Sequence, residues 1–219
     1  MNGSGRFEYS INYEDKQICI DYSGRDENDN CFRNDSSIMF FLANSYAYSA
    51  NVLLDKINEG FETKSDYRII SKLVIPYMFH TRHYIELELK GLIARLKDNK
   101  GHASNEHDLR KLIEELETCL KSYTYDQVGD EYYKRSLYEK NMTIVMERFD
   151  SAKKTIYKYI DEEPFVEFYR FIFQRDYRLK KEYVSFDYNN QKSLFNSVYN
   201  DFKVIIKLLH CSGITILDK

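Results

Sequence analysis

The chain has 219 residues, 43% of them hydrophobic and 31% charged, a balance that permits one large domain with a sizeable core and excludes a disordered or fibrous protein. Its 32 Lys and Arg against 35 Asp and Glu leave a formal net charge of -3, so no global positive field draws it onto phosphate backbones and a nucleic-acid role needs a local basic cleft. Cys19, Cys31, Cys119 and Cys211 stand singly, without a C-x-x-C pair or a Cys/His spacing that closes a zinc site. Residues 1 to 20 lack a basic start followed by an apolar run, and no stretch approaches the ~20 apolar residues of a membrane span. The expectation is a cytoplasmic protein with free thiols, no metal and no cofactor.

Two prolines and no tryptophan, against 20 tyrosines and 14 phenylalanines, suit long helices packed through aromatic surfaces. Residues 6 to 22, RFEYSINYEDKQICIDY, alternate apolar and polar positions and predict a β-hairpin. SGRDENDN, residues 23 to 30, is a polar loop, and Asp35 or Ser36 can cap a helix beyond it. From Ser37 to about Asn58, Met39, Leu42, Ala43, Tyr46, Ala50, Leu53, Leu54 and Ile57 recur at threes and fours, the spacing of a first long helix. A second runs from about Tyr67 to Lys97, where Pro76 either kinks the helix or marks a new first turn.

Residues 98 to 108, DNKGHASNEHD, form a loop by composition, with Ser104 or Asn105 as the next N-cap and Asp108 in the first turn. A third helix continues to about Ser122, and a fourth occupies roughly 137 to 160. After Pro164, FVEFYRFIF and KKEYVSFDY flank QRDYRL, which predicts a second β-hairpin over residues 165 to 188, with a helix as the alternative for 165 to 173. Gln191 to His210 carry a last amphipathic helix. With no internal repeat, one mainly α domain is the economical count: a hairpin and polar loop over 1 to 34, packed on a helical domain over 35 to 219.

The stretch FHTRHYIELELKGLI, residues 79 to 93, places charge inside what otherwise looks like a buried helix. His83, Glu86 and Lys90 are neighbours along one side of it, because three and four residues are nearly one turn. Glu88 points roughly the other way, near Thr81, Tyr84 and Arg95, and is the candidate for a solvated face. Should the third helix fold back antiparallel to this one, His107 and Asp108 at its start come within one or two turns of Lys90. Such a cluster is either a phosphate or nucleotide site with histidine as acid or base, or a buried polar network that fixes helix register. Zinc is disfavoured because no H-E-x-x-H spacing exists.

IPYMFHTRHYIELELKGLI, followed within about twenty residues by HDLRKLIEEL, resembles the HEPN superfamily of helical-bundle proteins. The likeness is to an uncharacterised branch, carried here by Pro76, Arg82, His83, Glu86, Leu87, Leu89, Lys90, His107, Asp108 and Leu109. EFYRFIFQRDYRL is similar to the aromatic-Arg-aromatic segment of such proteins and singles out Arg170. The resemblance covers about residues 35 to 210. It implies a HEPN-like bundle, to which the alternation adds the two hairpins, and an RNA-binding protein or metal-independent endoribonuclease that acts as a homodimer in a bacterial defence or toxin-antitoxin system. An RNA or nucleotide ligand and a protein partner from the same system go with that biology. The alternative is a non-catalytic sensor, scaffold or partner-binding subunit.

On this reading His83, Glu86, Lys90, His107 and Asp108 are the catalytic candidates, with Arg82 and Arg170 as binding residues. HEPN nucleases use an Arg followed after four to six residues by His. Arg95 and His102 alone fit that spacing here, and they depart from the pattern: Leu96 stands where a polar residue is expected, and His102 lies in a Gly-Ser-Asn loop. They form the alternative catalytic pair.

Overall fold

The apolar spacing folds into five helices: α1 (Asp35–Glu62), α2 (Tyr67–Leu96), α3 (Leu109–Ser122), α4 (Arg135–Glu162) and α5 (Tyr188–Cys211). The computed structural model describes residues 8–12, 17–21, 35–64, 67–97, 104–123, 135–162 and 186–212. In α1, Ala43, Ala47, Ala50, Leu54 and Ile57 are at most 2% exposed and form one stripe. The three alanines let α2 lie close. At Gly91 of α2 a Cβ would come 2.8 Å from the Phe40 ring of α1, so only glycine fits without a shift of that ring. α1 closes at Lys64, whose φ of 51° turns the chain out of the helix.

α2 is the central element. It continues unbroken through Pro76, so the proline sits inside the helix and opens no new one. Contacts along its length fix the direction of its neighbours. Tyr77 meets Gln191, and Tyr84 meets Phe195, Tyr199 and Phe202, so α5 runs parallel to α2. α4 runs against α5, since Asn141 bonds Ser212 at 3.0 Å while Arg148 pairs with Asp201 and Lys158 reaches Asn190. His107 lies beside Arg82 and Lys90 while Glu115 pairs with Lys97, so α3 runs parallel to α2. The antiparallel return expected of α3 is therefore corrected: the connecting loop carries the chain back several turns before α3 begins.

The expected bundle with two built-in β-hairpins is corrected as well. The described packed body is helical throughout, and its core comes from the five helices. A two-stranded antiparallel ladder, β1 (Glu8–Asn12) with β2 (Gln17–Asp21), precedes α1 and pairs Tyr9 with Ile20 and Ile11 with Ile18. Among the described residues neither strand joins the helical body. The second hairpin does not reach residue 188: Asp187 accepts a bond from Asn190 N at 3.1 Å and caps α5 there. A capping aspartate stood within VSFDY, whose aromatic alternation looks β-like. The rest of that segment, 163–185, lies outside the described residues. No described helix is long and apolar enough to cross a membrane.

Candidate functional site

α2 brings Arg82, Glu86 and Lys90 into one ladder four residues apart, on the side that faces the start of α3. Their side chains are 10%, 7% and 8% exposed. Arg82 Nη1 pairs with Glu86 Oε2, and Lys90 Nζ lies 3.0 Å from Glu86 Oε1. Arg82 Nη2 donates to the His107 carbonyl at 2.6 Å, and the His107 ring returns to the cluster with Nδ1 2.7 Å from Glu86 Oε1. The histidine is thus held by backbone and by ring.

The protonation pattern depends on which groups can only accept. Burial pushes the Glu86 carboxyl up, but bonds from Lys90, Arg82 and His107 outweigh it and hold the group at about 2. An ionised carboxylate accepts only, so the hydrogen-bond network assigns the proton to Nδ1 of His107. Lys90 Nζ, 3.5 Å from the same nitrogen, shares the Oε1 acceptor with it. Nε2 is left as the basic nitrogen, on a side chain that is 60% exposed. Arg82 and Lys90 bring two positive charges against the one negative charge on Glu86, while Glu106 and Asp108 add carboxylates on the backbone side of His107.

The expected constellation is only partly assembled. His83 is not in it: its Nδ1 donates to the Phe79 carbonyl at 3.0 Å, and its ring lies against Phe79 and Tyr46, with centroids 4.0 and 5.2 Å away. Arg82, one step round the helix, takes the place expected of His83. Asp108 serves as the N-cap of α3, accepting from Arg110 N at 2.8 Å. Glu106, absent from the expected set, accepts from the backbone N–H groups of His107 and Asp108 at 2.9 and 3.0 Å, and those two bonds, with Lys111 beside it, pull its carboxyl down to about 2. An acidic residue just ahead of a helix start was the signal for it.

Arg95 is half-buried with its guanidinium carbon 6.0 Å from the centre of the Phe40 ring, on the α1 side of α2 and apart from Glu86. His102 and Arg170 lie outside the described residues. Glu88, expected on a solvated face, is corrected: it is 1% exposed, and Thr81 and Tyr84 beside it are 2% and 0%. That side of α2 packs on α5, so charge there does not mark water. Among the described residues no group of three His, Cys, Asp or Glu is placed to hold a metal. A small cavity between α2, α4 and α5, lined by residues that include Thr81, Ile85 and Phe195, contains no residue of the His107 cluster. Comparison of the chain with protein-family models, curated proteins and solved structures finds no match.

Proposed function

We propose that the chain is a HEPN-like RNA-binding protein that cleaves RNA without a metal ion, as a homodimer, within a bacterial defence or toxin-antitoxin system. One observation carries this reading: an exposed imidazole whose Nδ1 is held 2.7 Å from a buried carboxylate, with two buried cations on the same carboxylate. Nε2 of His107 would take the proton from a ribose 2′-hydroxyl while the 2′-oxygen attacks the adjacent phosphorus. Glu86 holds the ring in the needed tautomer and stabilises the imidazolium that forms, while Lys90 and Arg82 offset charge growing on the phosphate. The leaving 5′-oxygen needs a proton at the same time. One His107 cannot both take and give it, which is the chemical reason for a second protomer. Binding a protein partner from the same system belongs to this proposal.

The burial of Arg82, Glu86 and Lys90, and the bond from Arg82 to the His107 carbonyl, favour a second reading, in which the cluster locks α3 onto α2 in a non-catalytic sensor or scaffold. Incubation of purified protein with end-labelled total RNA in EDTA separates the two. The first reading predicts cleavage that His107→Ala abolishes and His83→Ala leaves intact. No cleavage by well-folded wild type sinks it as a nuclease, and loss with His102→Ala alone moves the chemistry to Arg95 and His102.

A further inference from the structure

Glu88 takes no part in the His107 cluster. Two residues from Glu86, it faces α5, and its Oε2 is buried without a hydrogen-bond partner. One turn earlier the Tyr84 hydroxyl is also buried without one. Over them lies Tyr199 of α5, its ring centre 5.8 Å from that of Tyr84. One turn further along α5, exposed Lys203 extends its ammonium past the Tyr199 ring, 5.2 Å from the ring centre. It donates to Asn44 Oδ1 of α1 at 3.0 Å. Because α2 and α5 run parallel, one turn beyond the Tyr84–Tyr199 pair puts Lys203 level with Glu88, and its charge opposes the effect of burial there. Tyr84 and Tyr199 are the titratable neighbours of Glu88 from α2 and α5, and α1 presents the uncharged Asn44.

We propose that Glu88, Lys203 and Asn44 form a proton-operated latch between α5 and α1. While Glu88 keeps its proton it offers no charge to the ammonium, and Lys203 stays on Asn44. When the proton passes to solvent, a buried carboxylate without a partner is costly. Lys203, a compact charge on a flexible four-carbon stem, turns inward to meet it, and the tie to Asn44 breaks. Burial pushes the Glu88 carboxyl up to about 8, which sets the latch to open under mildly alkaline conditions.

The Asn44 side-chain amide reports the latch by proton-nitrogen NMR from about pH 6 to about pH 9.5, a range that brackets the titration of a strongly raised carboxyl. In wild type its cross-peak moves by several line widths with a midpoint near that of Glu88. In Glu88→Gln, which keeps the shape and cannot ionise, it stays at its low-pH position, and in Lys203→Met it no longer moves. A wild-type Asn44 resonance that does not move, or one that moves equally in Glu88→Gln, overturns the latch. Should Lys203→Met fail to fold, the Glu88→Gln comparison decides alone.

Discussion

Glu86 and Glu88 stand two residues apart on one helix, 5% and 1% exposed, and end in opposite states. Glu86 is held ionised, its carboxyl drawn down to about 2 by Lys90, Arg82 and His107 against the effect of burial. Burial pushes the Glu88 carboxyl up to about 8 with only Lys203 opposing, so it is protonated at neutral pH. Withdrawal from water therefore does not by itself set the charge of a carboxyl. The partners it meets there do, and the two sides of α2 supply different ones: the start of α3 brings an imidazole, while α5 brings aromatic rings and one lysine that points to α1.

Removing the partnered acid gives the largest expected effect. Glu86→Ala strands two buried cations, and urea unfolding should show a loss of about 3–5 kcal/mol. The same acid sets the acid limit. Its folded value lies below the unfolded 4.5, so its contribution is full above that pH and is lost as pH falls towards 2. Glu86→Gln should lack that part of the acid dependence. On the other side the sign reverses. The folded value of Glu88 lies above its unfolded one, so wild type loses stability as pH rises from 4.5 towards 8. Glu88→Gln should match wild type near pH 5 and unfold later at pH 9, by about 1–3 kcal/mol, the cost of ionising a buried polar group. Rough equality at both pH values would break the comparison.

Smaller changes sharpen it. Asp108→Ala removes the N-cap of α3 and should cost about 1 kcal/mol by thermal unfolding, without moving the titration of either glutamate. His83→Ala removes the ring lying against Phe79 and Tyr46 and should cost about 0.5–1.5 kcal/mol. RNA cleavage, if present, should be unaffected.

The helices themselves were legible because each buries a stripe at helical spacing: Ala43 through Ile57 in α1, and Leu109, Leu112, Ile113, Leu116 and Leu120 in α3. The meeting of Glu86, Lys90 and His107 was expected from an antiparallel α3 and comes about through a parallel one. The direction of α3 was not legible, because a loop from Lys97 to Asp108, at roughly 3.3 Å per extended residue, can either turn sharply or run back along α2. The burial of Glu88 was not legible either. Charge marks the wet side of a helix only when one side is wet, and α2 is covered by α1, α3, α4 and α5 in turn. The exchange of His83 for Arg82 has the same origin. Spacing places both near the polar side, and the neighbours decide: Tyr46 of α1 lies against His83, while the His107 carbonyl ahead of α3 meets Arg82.

The most direct test of this account follows both side-chain carboxyl carbons by carbon-13 NMR in a single glutamate-labelled sample, with Glu86→Gln and Glu88→Gln for assignment. The Glu86 signal should stay in its ionised position until pH falls towards 2, while the Glu88 signal should stay in its protonated position until pH rises towards 8. Two signals that titrate together near the ordinary 4.5 would contradict it.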